Sequence, residues 1–321
     1  GDSKKPGLTG RVEYRRGLYI VSCMEGLDKI AWSRVEKTLN AKIACRYDIC
    51  VLATLNDKHV LTIKLIDKSN EELDEVNLEN IYDFHIGGSE DLLVVSAISH
   101  TAEYNSTLLI DPTTVSILDH VTGFGGYILA SLENTFVYGF KQGLLTTKVF
   151  SIEGEEILET SGIPVLPPFN PFSYPIGEYQ SYSTPYIVIM DRNELKVYDP
   201  FDYTIKFIGL KPPLTRGVVN VDPDHGDIVV YASFTNKPFI AKFNIDGSID
   251  WISHIIYGFR YALVSSGIVA VCLNNMETRI YRVSEPVLIH EDCFAPAYPI
   301  FARGNTIILT DGKLVSSYTL E

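Results

Sequence analysis

The stretch Asn244-Ile245-Asp246-Gly247-Ser248-Ile249-Asp250-Trp251 (NIDGSIDW) joins two apolar segments through a polar centre. A short carboxylate such as Asp246 accepts hydrogen bonds from nearby backbone N–H groups, and glycine adopts the backbone angles that a tight turn needs. The stretch therefore predicts a β-hairpin. Related acidic turns recur along the chain, and the last is a degenerate copy: Glu25, Asp67, Asp111, Glu153, Asp199, Asp246 and Ser284. Their successive offsets are 42, 44, 42, 46, 47 and 38 residues.

A second marker has the same period. Continuous apolar runs, typical of strands buried between two packed sheets, are Ile49–Thr54, Leu92–Ala97, Thr135–Phe140, Tyr186–Met190, Ile228–Ala232, Ile268–Leu273 and Thr306–Thr310. Their first residues are 43, 43, 51, 42, 40 and 38 positions apart. Two independent markers thus give one repeat of about 40–45 residues, the length of a four-stranded propeller blade.

The repeat predicts an all-β protein, a seven-bladed β-propeller, with eight blades as the alternative. Helix is scarce in the pattern, and Arg34 to Leu39 is the only short candidate. Each four-stranded unit has two apolar faces, and radial stacking buries both. We expect the N- and C-terminal strands to complete one blade together, which removes exposed edges. Residues 1–10 are interpreted as a flexible tail or linker and residues 11–321 as a single propeller domain.

The hairpin around Asp246 resembles the D-x-x-G-x-x-x-W hairpin of quinoprotein-like (PQQ-type) propeller repeats. Trp32, seven positions after Glu25, is a partial second copy of this pattern. The resemblance implies the fold of this superfamily, to which WD40-like propellers are related, and it implies no particular activity. The chain lacks the paired-cysteine cofactor clamp of the quinoprotein dehydrogenases and has only two tryptophans. We therefore predict no cofactor.

The 51-residue interval contains a segment rich in proline and aromatic residues, 163–186. Proline removes ladder donors, so the segment is predicted to be an extended loop that connects one blade to the next. Stiff loops with amphipathic rings lose little entropy on binding. A connector that only packs on the ring is the alternative interpretation. The candidate binding residues are Phe169, Phe172, Tyr174, Tyr179, Tyr182 and Tyr186.

Other motifs have ordinary structural interpretations. Asp222, Asp224 and Asp227 are weak candidates for a metal site, since calcium prefers several oxygen ligands, but a strand-to-strand turn is favoured. Gly123–Gly126 precedes a strand and is interpreted as a tight turn between blades. Four histidines near strand ends could converge on one face: His85, His120, His254 and His290. Asn105-Ser106-Thr107 is a glycosylation sequon in a predicted hairpin loop, which matters only in an exported protein.

The five cysteines do not form a disulfide framework. Cys45 and Cys50 flank a predicted turn, so a bridge between them is compatible with an oxidising compartment. Buried free thiols are the favoured interpretation. No Cys-x-x-Cys pair is present, which disfavours structural zinc.

The charge of the chain bears on its partners. A net charge of −13 argues against nucleic acid and anionic membranes, and the longest apolar run is too short to span a bilayer. We predict a non-enzymatic interaction scaffold for a protein, peptide or glycan partner, possessing no catalytic residues. The alternative function is a propeller hydrolase or lyase that acts on a saccharide or lactone in a central channel. The chain begins with glycine, so we expect one module of a larger chain or complex, and the compartment stays open.

Overall fold

The structure is a computed structural model of the 321-residue chain. It describes residues 7–131, 133–164, 181–182, 187–191 and 195–208, and beyond these the strands given below. The strands after residue 208 are described by their backbone and pairing. The chain divides into two compact units, residues 1–161 with 175–181, and residues 162–174 with 182–321. The described residues contain no helix with the length and apolarity needed to cross a membrane.

The first unit holds four antiparallel sheets, numbered here in chain order. Their strands are β1 (Leu8–Arg15), β2 (Leu18–Glu25), β3 (Lys29–Glu36), β4 (Asn40–Arg46), β5 (Ile49–Leu55), β6 (Leu61–Asp67), β7 (Glu72–Leu78), β8 (Asp83–Gly87), β9 (Leu93–Ile98), β10 (Ser106–Asp111), β11 (Ser116–Thr122), β12 (Tyr127–Ser131), β13 (Asn134–Lys141), β14 (Leu144–Phe150) and β15 (Glu156–Ser161). Sheet 1 contains β1–β3, sheet 2 β4–β7, sheet 3 β8–β11 and sheet 4 β12–β15, each in consecutive order. The two-residue strand β17 (Ser181–Tyr182) lies next to β12 in sheet 4.

The second unit continues the pattern. Its strands are β16 (Ile163–Pro164), β18 (Ile187–Met190), β19 (Leu195–Asp199), β20 (Thr204–Ile208), β21 (Gly217–Val221), β22 (Ile228–Phe234), β23 (Lys237–Phe243), β24 (Ile249–His254), β25 (Phe259–Ser265), β26 (Ile268–Leu273), β27 (Thr278–Arg282), β28 (Leu288–His290), β29 (Tyr298–Arg303), β30 (Thr306–Thr310) and β31 (Val315–Thr319). Sheet 5 has the order β16-β18-β19-β20, sheets 6 and 7 contain β21–β24 and β25–β28, and sheet 8 contains β29–β31.

All seven strands predicted from continuous apolar runs occupy the same place in the repeat. They are β5, β9, β13, β18, β22, β26 and β30, each the second strand of its sheet. Strands β5, β9 and β13 are buried over most of their length, as expected of interior strands with neighbouring sheets on both faces. Sheet 1 was not among the seven, although its second strand β2 contains the apolar stretch Leu18–Val21. The repeat of four-stranded antiparallel sheets is confirmed, whereas blade number and closure stay predictions.

The core of the first unit lies between successive sheets. Phe84 and Ile86 of β8 pack in one cluster with Ile63 and Leu65 of β6 in sheet 2, and all four side chains are buried. A second cluster joins sheets 1 and 2 around Trp32, and a third joins sheets 3 and 4 around Phe124. Full burial of a side chain as large as phenylalanine contributes about 1.5–3 kcal/mol. Face-to-face stacking of consecutive sheets is the packing of propeller blades.

The acidic turns act as predicted. Asp67 accepts hydrogen bonds from the backbone N–H of Ser69 (2.9 Å) and Glu71 (3.0 Å), and Asp111 accepts from the N–H of Thr113 (2.9 Å). Trp32 donates from its indole Nε1 to the carbonyl oxygen of Asp67 at 2.8 Å. The partial tryptophan repeat of the sequence therefore ties sheet 1 to the acidic turn of sheet 2.

Three local expectations are corrected. Residues 34–36 belong to β3, so the short helix candidate at Arg34–Leu39 is wrong, since Arg34 faces sheet 2 and donates to Asn70 Oδ1 at 2.7 Å. Strand β1 begins at Leu8, so the last three residues of the proposed tail pair with β2. Asn105 of the sequon is buried, and its Oδ1 accepts from Ser99 N–H at 2.6 Å. This amide therefore faces inward and is no glycosylation acceptor in the folded chain.

Candidate functional site

The candidate site lies at the end of sheets 2–4 where the chain passes from one sheet to the next, called here the connection end. Strands β4, β8 and β12 all begin at this end. The links that join β5 to β6, β9 to β10 and β13 to β14 lie at this same end, because consecutive strands are antiparallel. Side chains distant in sequence therefore meet there.

The first group at the connection end comprises Lys42, Asp83, His85 and Tyr127, called the inner-strand cluster. Lys42 Nζ donates to the carbonyl oxygen of Phe84 at 2.6 Å and lies 4.8 Å from the centre of the Phe84 ring. His85 Nε2 lies 3.4 Å from Asp83 Oδ2, and the His85 ring centre is 4.4 Å from that of Tyr127. Three sheets thus contribute an amine, a carboxylate, an imidazole and a phenol.

Burial sets the charges in this cluster. It lowers the pKa of His85 to about 4, helped by the positive charge of Lys42 and opposed by Asp83. Burial also lowers the pKa of Lys42 to about 8, again opposed by Asp83. At neutral pH the imidazole is therefore neutral, and the amine loses its proton more readily than an ordinary lysine. A neutral imidazole next to aromatic rings is suited to packing and hydrogen bonding.

The second group is a stack of three rings, His59, Tyr82 and His100, called the ring stack. The centre of the Tyr82 ring lies 4.0 Å from that of His59 and 3.8 Å from that of His100. Backbone bonds fix the arrangement: Ile81 N–H donates to the carbonyl of His59, and Tyr82 N–H donates to the carbonyl of Ile98, both at 2.9 Å. The Tyr82 side chain remains 43% exposed. The stack therefore presents a fixed aromatic edge to solvent.

Each loop of the ring stack also carries a carboxylate. Asp57 precedes His59, Glu79 precedes Tyr82 and Glu103 follows His100, and all three are exposed. Two further exposed rings lie at the same end, Tyr104 (46%) and Tyr127 (51%). With three carboxylates against one exposed amine, Lys58, the surface is aromatic and net anionic, which suits cationic groups through ring faces and charge. The sequence did not indicate this surface, because the residues that form it come from separate repeats.

The Gly123–Gly126 turn positions Tyr127 and is confirmed as a turn between sheets. Thr107 Oγ1 donates to the carbonyl of Phe124 at 2.9 Å, and Gly126 N–H donates to Ser96 Oγ at 2.8 Å. The two hydroxyls are 3.0 Å apart, which joins both bonds into one buried chain. A Cβ at Gly126 would lie 2.0 Å from the carbonyl oxygen of Tyr138, so only glycine permits this close approach.

The proline- and aromatic-rich segment has a different place from the one predicted. Ile163 of β16 pairs with Met190 of β18, so the segment joins the first two strands of sheet 5 instead of two blades. The prediction was wrong because a two-residue strand precedes the insertion. Tyr182 belongs to β17, and only its backbone is described. The other candidate binding residues lie outside the described residues: Phe169, Phe172, Tyr174, Tyr179 and Tyr186.

The proposed metal ligands and the four histidines do not come together in one place among the described residues. Asp222, Asp224 and Asp227 lie outside the described residues. Of the four histidines, His85 joins the inner-strand cluster, His120 is exposed on β11, and His254 and His290 are described by backbone alone. Among the described residues, the only group of three or more His, Cys, Asp or Glu side chains within metal-ligating reach is Cys23, Cys45 and Cys50.

The cysteines depart from the favoured interpretation of free thiols. Cys45 and Cys50 are cross-strand partners in β4 and β5, with Cα atoms 4.0 Å apart, and form a disulfide, called here the hairpin disulfide. Cys23 of β2 is a buried thiol. Burial, and then the charge of Glu25, raises the pKa of Cys23 to about 11. The thiol therefore stays protonated at neutral pH, which makes it a poor nucleophile towards the disulfide.

Comparisons with known proteins give structural likenesses alone. No family model and no curated protein matches the chain. BamB from Moraxella catarrhalis is 13% identical with a TM-score of 0.42, covering 96% of this chain and 92% of that one. A eukaryotic initiation factor is 13% identical with a TM-score of 0.48, covering 89% and 74%. The β-propeller domain of the Trilobed protease from Pyrococcus furiosus is 14% identical with a TM-score of 0.39, covering 88% and 96%. These likenesses concern the fold and not the function.

Proposed function

We propose that the chain is a non-enzymatic protein-interaction module, a single β-propeller of seven or eight blades that binds a protein partner through the connection end. The proposal rests on one observation, the ring stack of His59, Tyr82 and His100, which exposes Tyr82 and whose loops contain Asp57, Glu79 and Glu103. Pre-ordered aromatic side chains bind with little loss of entropy, and tyrosine is enriched at the centres of protein interfaces.

The partner segment that this surface fits is cationic. Asp57, Glu79 and Glu103 add negative charge beside the rings, and the whole chain has a net charge of −13. Arginine stacks on aromatic rings and pairs with carboxylates at the same time. We expect association to be steered by charge and to weaken as salt concentration rises.

The experiment isolates the partner by cross-linking and affinity capture, and then measures binding of the purified partner by calorimetry. Tyr82→Ala should weaken binding by about tenfold or more, the loss typical of a central aromatic contact. The melting temperature should stay within a degree or two of the wild type, because Tyr82 is substantially exposed. Tyr203→Ala, which removes a similarly exposed ring from the turn between β19 and β20, is the matched control. Equal affinities for wild type and Tyr82→Ala would refute the proposal for this surface.

The segment 163–186 is proposed as a second contact surface, for a protein, peptide or glycan. Its six aromatic candidates alternate with prolines, which is the composition of a stiff recognition loop. Combined alanine replacement of Tyr174, Tyr179 and Tyr182 should weaken capture of the partner and leave the melting temperature almost unchanged. A loss of folding equal to the loss of binding would assign the segment to packing.

A hydrolase or lyase is the second candidate, favoured by the inner-strand cluster. Lys42, Asp83 and His85 bring together an amine with a lowered pKa, a carboxylate and a neutral imidazole. Such a site could move protons, yet it offers two carboxylate or imidazole groups where sugar and lactone chemistry needs a larger set. Turnover of a lactone or saccharide panel that is abolished by His85→Phe, and retained by His120→Phe, would establish the enzyme.

A further inference from the structure

The buried sulfur atoms at the interface of sheets 1 and 2 have no part in the proposed function. We propose that Cys23, Cys45 and Cys50 form a binding site for one soft monovalent cation of the copper(I) type, which becomes available when the hairpin disulfide is reduced. The three residues are called the trithiol site.

The geometry brings three sulfur donors from three strands to one point. The Sγ atoms of Cys23, Cys45 and Cys50 all lie within 4.8 Å of one another. Cys23 Sγ is 3.4 Å from Cys50 Sγ, and because Cys50 is bridged, the hydrogen of this contact belongs to Cys23. Cys23 and Cys50 are fully buried and Cys45 is 6% exposed. A cation held there would be shielded from water.

The position on β1 beside the sulfurs is a glycine. Gly10 of β1 is the cross-strand partner of Cys23 and faces sheet 2. A Cβ at this position would lie 3.4 Å from Cys45 Sγ and 2.7 Å from Ile43 Cγ2. The glycine is therefore required for the close approach of the two sheets at this point.

The donor set selects the class of cation. Thiolates are soft ligands that favour copper(I) and zinc over the hard cations. Zinc takes four ligands in structural sites, and within the described residues no fourth His, Cys, Asp or Glu belongs to the cluster. The surroundings are apolar, with Val21, Leu52 and Ile66 in the same buried cluster. Copper(I) is satisfied by two or three sulfur ligands and so fits a closed site with three.

Reduction of the hairpin disulfide and binding of copper(I) are two separate steps. A dithiol reductant transfers two electrons to the hairpin disulfide, so the sulfur–sulfur bond breaks, two protein thiols form and the reductant closes its own disulfide. Copper(I) then binds with no change of oxidation state, and each thiol that binds as a thiolate releases one proton to solvent. When a disulfide oxidant accepts two electrons from the pair and leaves as two thiols, the sulfur–sulfur bond forms again and the cation is released, because a disulfide sulfur is a far weaker ligand than a thiolate.

The test titrates the 321-residue chain with copper(I) under anaerobic conditions, in competition with a chromophoric copper(I) chelator. After reduction with dithiothreitol and removal of the reductant, we expect one equivalent of copper(I) to bind, with the red emission of a water-shielded copper–thiolate centre. The oxidised protein should bind none at the site. Cys23→Ser should lose the emission and weaken binding by more than the 10–100-fold that even an outer-sphere change costs.

The matched control is a variant with Cys272→Ser and Cys293→Ser, which removes the other two cysteines of the sequence. It should bind like the wild type. X-ray absorption on the wild-type complex should find three sulfur neighbours, a measurement that needs no variant to fold. The proposal is overturned if two sulfurs are found, if Cys23→Ser binds like the wild type, or if the oxidised protein binds equally well.

Discussion

The buried hydroxyl chain that holds the Gly123–Gly126 turn can be broken by a single isosteric change, Thr107→Val. Thr107 and Ser96 are both fully buried. Because the only hydroxyl proton of Thr107 goes to the carbonyl of Phe124, Ser96 must donate to Thr107, and Ser96 in turn accepts from Gly126 N–H. Valine keeps the shape of threonine but can neither donate nor accept. It leaves the Ser96 hydroxyl without its acceptor and the Phe124 carbonyl without this donor.

The cost follows from these two groups. A buried polar group left without a partner costs about 1–3 kcal/mol, and partial relaxation of the turn recovers some of it, so we expect about 2 kcal/mol in total. Thr107→Ser is the matched control, since it keeps the hydroxyl chain and loses one methyl group, worth about 0.8 kcal/mol. Valine should therefore destabilise the protein more than serine, whereas a purely hydrophobic core would give the opposite order.

Amide hydrogen exchange of residues 123–131 measures this region directly. A loss of about 2 kcal/mol corresponds to exchange about 30-fold faster, since each 1.4 kcal/mol is a factor of ten. Urea unfolding should show a lower midpoint with an unchanged slope. The reasoning is refuted if Thr107→Val is as stable as Thr107→Ser or more stable, because the hydroxyl chain would then contribute nothing.

Three other predictions concern the same unit. The pKa of His85 is lowered from its ordinary value to about 4. As the pH drops from about 6.5 towards 4, the unfolded chain therefore takes up the proton first, and the stability of the fold should fall. The melting temperature of His85→Phe should not show this fall, whereas that of the control His120→Phe, at an exposed position, should. Reduction of the hairpin disulfide, which joins residues only 5 positions apart, should lower the free energy of unfolding by about 2 kcal/mol, as denaturation with and without dithiothreitol will show. Gly125→Ala should destabilise the fold strongly, because the new Cβ would lie 2.2 Å from the carbonyl oxygen of Ala97. Gly17→Ala has nothing within 4 Å of its new Cβ and should cost only backbone strain. Thermal unfolding of both variants separates the two effects.

Much of the architecture was predictable because the repeat imposes one pattern on many segments. Runs that are apolar on both faces mark interior strands, and all seven became second strands of their sheets. The acidic turns were predictable since a short carboxylate such as Asp67 bonds the backbone within its own turn. Local chemistry explains both, so a single sequence suffices.

The candidate site was not predictable for the opposite reason. Lys42, His85 and Tyr127 lie in three different sheets, and their meeting depends on stacking that no local pattern encodes. The place of the segment 163–186 was missed because β16 is only two residues long and gives no periodic signal. The trithiol site was missed since Cys23 is 22 residues from Cys45 and its approach depends on how β2 faces β4.

The position of that segment within sheet 5 has a consequence for engineering and for evolution. A hairpin whose two strands already pair, as Ile163 with Met190, tolerates almost any length of chain at its tip, since closing a longer loop adds little entropy cost. Replacing the insertion with a two-residue turn should therefore give a shortened protein that keeps the order β16-β18-β19-β20 of sheet 5 and lacks β17 beside β12. The length of chain between these two strands can therefore change in evolution while the pairing of β16 with β18 is kept.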